Sequence, residues 1–168
     1  HKDQAMNKLH SLILAITLLV GSVSVATAQD LNKGLEAAQS GDYQTALREW
    51  RPLAEQGDKQ AQALLGMMYD EGQGVLQDYA EAVKWFRLSA KQGETDAQNN
   101  LGVMYQSGFG VLQSNVMAHM WSNIASANGH PTSGNLRAFL VERMSNADIS
   151  AAQQMARECM SSNYQNCD

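Results

Sequence analysis

The stretches Ala61-Gln62-Ala63-Leu64-Leu65-Gly66-Met67-Met68-Tyr69 and Ala97-Gln98-Asn99-Asn100-Leu101-Gly102-Val103-Met104-Tyr105 lie 36 residues apart and share Ala-Gln, Leu-Gly and Met-Tyr at matching offsets. A glycine loop follows each, Gly72-Gln73-Gly74-Val75-Leu76-Gln77 and Gly108-Phe109-Gly110-Val111-Leu112-Gln113. Sliding Asp42 to Gln77 forward lays it on Asp78 to Gln113 without a gap, and half of the positions coincide. A third, decaying copy starts at Ser114 and keeps Ala118 and Gly129. Repetition at this period marks an array of stacked supersecondary units.

Each unit reads as two helices. Ala61, Leu65, Met68 and Tyr69 recur at helical spacing, as do Tyr79, Ala82, Val83, Phe86 and Ala90. One apolar stripe per helix cannot be buried within a single pair, so neighbouring pairs must stack. The glycine loops break the period, and Gly57, Gly93 and Gly129 fall where the second helix of each pair should end. Gly66 and Gly102 lie inside helices, where glycine costs about 1 kcal/mol relative to alanine; their recurrence beside Leu65 and Leu101 points to close helix contact. Asp78 and Ser114 stand ready to cap the second helices. The pattern predicts helices over 30–40, 43–55, 59–70, 78–91, 95–106, 114–127, 131–143 and 146–160, and essentially no strand.

The string Ala61, Leu65-Gly66, Tyr69, Gly72, Gly74-Val75, Asp78, Ala82, Trp85, Ala90 and Gly93 resembles a Sel1-like repeat, a relative of the tetratricopeptide repeats. Ala97, Leu101-Gly102, Tyr105, Gly108, Gly110-Val111, Ala118, Trp121, Ala125 and Gly129 repeat it, with Ser114 in place of the usual Asp. The resemblance covers about 30–129 and implies an all-α fold, a right-handed α/α solenoid of about four hairpins that serves as a protein-interaction scaffold, often in secreted or periplasmic bacterial proteins.

The ends read differently. Met6, Lys8, the apolar run Leu12 to Val20 and Ala26-Thr27-Ala28 give the charged, apolar and small-residue regions of a secretory signal, so residues 1–28 are expected to be removed after Ala28. That places the mature chain in the periplasm or outside the cell, with no membrane span left after cleavage. Residues 29–57 then form an N-terminal hairpin, 58–129 two repeat units, and 130–168 a capping hairpin and tail. Ser145-Asn146-Ala147-Asp148 resembles a capping box opening a last helix with Ile149, Ala152, Met155, Ala156 and Cys159 on one side.

The 168 residues carry 12 Lys+Arg against 17 Asp+Glu, spread along the chain, which disfavours a nucleic-acid partner. Cys159 and Cys167 are an even pair in an exported chain and so are disulfide candidates, two free or intermolecular thiols being the other possibility. His119 reads as an exposed helix residue and His130 as a turn residue before Pro131, with no carboxylate at ligand spacing for zinc. Hydrolase strings such as G-x-S-x-G are missing from the sequence, Gly72-x-Gly74 lacks the rest of a phosphate loop, and Met68 and Met104 fill core positions. No catalytic residue, metal or cofactor is expected.

Opposite the core stripe, the first helix of each pair carries Gln60, Leu64 and Met67, then Asp96, Asn100 and Val103, and the same offsets give Leu136 and Phe139. In tetratricopeptide-like solenoids first helices line the concave surface, so the resemblance implies a groove of amide and apolar character for a peptide or protein partner; Leu64 and Met67 packing on the neighbouring hairpin is an equal alternative. A non-enzymatic adaptor of the bacterial envelope is the leading reading. An envelope hydrolase or β-lactam or peptidoglycan binder, and an oligomerisation element, are the alternatives. The sequence leaves the oligomeric state open.

Overall fold

In a computed structural model that describes residues 31–167, every regular element among the described residues is a helix. The proposed signal segment, residues 1–28, lies outside the described residues. In order, the helices are α1 over 31–39, α2 (Tyr43–Glu55), α3 (Lys59–Glu71), α4 (Tyr79–Ala90), α5 (Thr95–Ser107), α6 (Asn115–Ala127), α7 (Ser133–Val141) and α8 (Asn146–Ser161). The chain divides into two units between Glu49 and Trp50.

In the first unit, the Asp42 carboxylate accepts from the Thr45 amide at 3.1 Å and opens α2. Hydrogen bonds from Thr45 hold that carboxyl below its usual range. Lys33 on α1 pairs with Glu49 on α2.

In the second unit α3 to α6 pack in sequence order, each on the next. The expected caps form: Asp78 accepts from the Ala80 and Glu81 amides, Ser114 from Met117 and Ser145 from Asp148; Asp58 likewise accepts from Ala61, whereas α5 and α7 start without a side-chain cap. Gly72 and Gly108 end α3 and α5 in the left-handed conformation. The core gathers Phe86, Leu101, Met104, Trp121, Ile124, Leu140 and Cys159, each stabilising the unit by roughly 1.5–3 kcal/mol for a large side chain moved out of water.

Gly66 explains why the hairpins close so tightly. A Cβ there would lie 2.7 Å from Cδ1 and Cε1 of Phe86, a ring wholly buried on α4. Only a residue without a side chain lets α3 approach that ring. Gly110, at φ +70°, lies so close to the start of α4 that a Cβ would sit 2.2 Å from the carbonyl oxygen of Tyr79, and Phe109 stacks on the Tyr79 ring at 4.8 Å. The turn after α5 thus locks onto the start of α4.

Polar contacts repeat in the same register. Arg51 donates to the Tyr69 hydroxyl at 3.0 Å and Arg87 to Tyr105 at 2.7 Å. Gln62 donates to the Ala54 carbonyl and Gln98 to that of Ala90. In the third unit the register puts Asn123 and Val141 in place of Arg and Tyr, and Asn123 instead accepts from Arg137 at 3.1 Å.

The C-terminus departs from the expected closing hairpin. Helices α7 and α8 both dock on α6 and make little contact with each other. The physical reason is burial: α7 buries only Ser133 and Leu140 fully, with Leu136 half-buried, whereas Ala152, Ala156 and Cys159 give α8 a small-residue face that approaches α6 directly. Helix α6 is consequently buried continuously from Ala118 to Ser122. His119, expected to be exposed, is 1% exposed. The repeat register anticipates this, since 36 positions earlier stands the buried Val83. Cys159 and Cys167 are joined in a disulfide.

Replacing Gly66 by Ala should destabilise the fold by about 1–3 kcal/mol, the usual range for overpacking a tight core, even though alanine favours the helix by about 1 kcal/mol. Urea unfolding followed by circular dichroism checks this; an unchanged or higher midpoint would show that α3 has room at Phe86.

Candidate functional site

The residues expected on the exposed face come to the surface on α3, α5 and α7 to different extents. Gln60 and Asp96 are exposed in the first turns of α3 and α5, and Leu64 and Asn100 are half-buried one turn later. Met67, Val103 and Phe139, at one equivalent position of three successive units, are 39%, 42% and 42% exposed. Leu136 is half-buried against the core, and its Cδ2 would meet a Cβ at Gly102 at 3.4 Å. The Arg143 guanidinium lies 3.6 Å over the Phe139 ring. The surface therefore offers one apolar side chain per unit beside polar neighbours, an arrangement suited to non-covalent capture.

The structure also assembles a group that the sequence did not reveal. Ser133 Oγ lies 2.8 Å from His130 Nδ1, and His130 Nε2 lies 3.4 Å from Asp96 Oδ1. The order Ser, His, Asp is that of a nucleophilic triad, but its geometry serves another purpose. Ser133 is fully buried at the position of the core alanines Ala61 and Ala97, and its hydroxyl donates to Asn99 Oδ1 at 2.7 Å. With its proton so used, Ser133 accepts from His130 Nδ1–H, and the chain of bonds ties the start of α7 to the first turns of α5. A nucleophile must reach an incoming carbonyl; this hydroxyl faces the interior. The spacing of 34 residues between Asn99 and Ser133 hid the cluster, because only the stacking of α7 on α5 and α6 brings them together.

Two leucines outside the expected face also reach the surface. Leu76 and Leu112, in equivalent loop positions, are each 90% exposed. Their recurrence in Gly-Val-Leu-Gln was the available signal. Among the described residues no group of three or more His, Cys, Asp or Glu gathers as a metal site, and no helix is long and apolar enough to cross a membrane.

Stacked helix pairs in this register define an α/α solenoid of the tetratricopeptide-like kind. Residues 59–94 and 95–130 each match the Sel1 repeat, so the chain carries two Sel1 repeats in tandem. Among solved structures, it is similar to a protective antigen present in uropathogenic Escherichia coli strains that displays an SLR fold. That likeness has a TM-score of 0.77 and 25% identity, and covers 82% of this chain and 31% of the antigen. A Sel1 repeat protein from Oxalobacter formigenes aligns with a TM-score of 0.61 and 31% identity over 64% of this chain and 44% of that one. The chain thus spans less than half the length of either. No match was found among curated proteins. Sel1 repeats are generally protein-interaction scaffolds and typically non-catalytic.

One buried group sets a pH dependence. Neither ring nitrogen of His119 has a hydrogen-bond partner among the described residues. Burial lowers its pKa below the ordinary 6.5, and the positive charge of Arg137 adds to the effect. The unfolded chain therefore binds a proton more readily than the folded one, so this stability is intact above about pH 6.5 and is lost as pH falls below it. His119→Val, which restores the residue type of Val83, should flatten the decline in urea midpoint between about pH 7 and pH 5; a decline as steep as in the parent would place the acid sensitivity elsewhere.

Proposed function

We propose that this chain is a non-enzymatic adaptor of the bacterial envelope that holds a peptide or protein segment against the face shared by α3, α5 and α7. The observation that carries the reading is the recurrence of Met67, Val103 and Phe139 at one register position with each side chain left about two-fifths accessible. Three apolar side chains left accessible at one register position offer surface whose burial by a partner is favourable in water. Export through the signal-like segment ending at Ala28, with loss of residues 1–28, places the adaptor in the periplasm or outside the cell. The Sel1 repeats favour a scaffold over a catalyst, and the interior position of Ser133 supports the same choice over an envelope hydrolase.

The test begins with crosslinking in the native envelope to obtain the partner, followed by titration of the purified pair. Met67→Glu and Val103→Glu should each weaken binding by about tenfold or more, the scale of losing an interfacial anchor of 1–2 kcal/mol, with helical circular dichroism unchanged. Full affinity in both variants would overturn the assignment of this face, and collapse of the helical signal would mean that the two side chains belong to the core. Turnover of a chromogenic β-lactam or of muropeptides that disappears in Ser133→Ala would favour the hydrolase reading instead.

A further inference from the structure

The 36-residue register continues beyond the repeats into the C-terminal tail. Gln92, Asn128 and Tyr164 follow one another at that interval. Gln92 donates to Gln62 Oε1 at 2.8 Å, and in the next unit Asn128 donates to Gln98 Oε1 at 2.9 Å. Tyr164 ends the series: its hydroxyl accepts from Asn128 Nδ2 at 2.9 Å and donates to Asn128 Oδ1 at 3.2 Å. Its ring covers Gly93, where an added Cβ would lie 3.2 Å from Tyr164 Cε2. A single tyrosine in the tail thus occupies the place where a further unit would continue the row of amides.

The tail reaches this place in a conformation that needs support. Asn163 and Tyr164 have φ of 53° and 64°, in the left-handed region that residues with side chains seldom adopt. The Tyr164 amide donates to the Cys159 carbonyl at 2.8 Å, and the disulfide from Cys159 to Cys167 closes the loop that contains both residues. Both cysteines are at most 2% exposed.

We propose that the Cys159–Cys167 disulfide is a redox-sensitive latch that holds Tyr164 as the end cap of the repeat array, and that its reduction releases the cap. A dithiol reductant supplies two electrons and two protons; the S–S bond breaks, Cys159 and Cys167 become thiols, and the reductant closes to its own disulfide. Without the crosslink the left-handed pair relaxes, and Tyr164 leaves Asn128 and Gly93. The Asn128 amide and the Gly93 surface then become accessible at the end of the array. Because both sulfurs are covered while the cap is seated, a reductant reaches them only when the tail lifts. Latch and cap are therefore coupled in both directions.

The full chain treated with dithiothreitol tests this, with thiols trapped by alkylation and counted by mass spectrometry. Tyr164→Ala should be reduced about tenfold faster than the parent, the effect of losing a hydrogen bond and a ring contact, with Tyr164→Phe in between. In the reduced parent, NMR should show the Tyr164 ring gone from Gly93 and faster exchange of the Asn128 side-chain proton that Tyr164 had accepted, while the bond of Asn128 to Gln98 and the amides of α3 to α5 stay protected. Equal reduction rates in parent and Tyr164→Ala, a ring that stays on Gly93 after reduction, or unfolding of the whole second unit on reduction would each overturn the proposal.

Discussion

The architecture depends on a contact from which a methyl group is excluded. At Gly66 the backbone of α3 lies against the Phe86 ring so closely that a Cβ would sit 2.7 Å from it. At that range α3 packs on α4, and α4 packs in turn on α5. Each pair leaves an apolar side that only the next pair covers, which is the physical meaning of a repeat array. Gly110 applies the same rule in the loop, where backbone meets backbone at the start of α4. The arginine to tyrosine and glutamine to carbonyl bonds that recur from unit to unit add direction to a contact that would otherwise be only apolar.

An array built this way must stop without leaving an open apolar side. Here the stop is made around α6, which receives α5, α7 and α8 and is buried on consecutive positions as a result. Losing the amphipathic pattern carries a cost: His119 and the Trp121 indole nitrogen are buried without hydrogen-bond partners among the described residues. Beyond α8 the tail turns back, and Tyr164 meets the row of side-chain amides that the repeats had extended. Closure thus uses packing on α6 and hydrogen bonding at Asn128.

These structural demands and the proposed partner face draw on different side chains except at Asp96, which is exposed and faces His130. Ser133, His130, Asp96 and Asn99 resemble reactive chemistry in their types and order, yet burial of the serine commits them to joining α7 to α5. Met67, Val103 and Phe139 take part in no such junction and stay accessible in register. The adaptor reading rests on this contrast, between a serine turned inward to hold helices and apolar groups turned outward.

The sequence by itself determined the period, the helix pairs, the caps at Asp78, Ser114 and Ser145, and the positions where glycine is required, because all of these are local or repeat at a fixed offset. It also contained, through Val83, the burial of His119, although the residue type pointed the other way. It set out the residues of the exposed face and left their packing open. Only the tertiary structure decided that α7 and α8 both settle on α6, that Cys159 and Cys167 join, that Ser133 meets His130 and Asn99, and that Tyr164 reaches Asn128. These contacts lie where the repeat has decayed: the offset still places Ser133 after Ala97 and Tyr164 after Asn128, but the residue types have changed and with them the partners. They follow from which small side chains allow two helices to approach and which polar atoms must then find partners away from water.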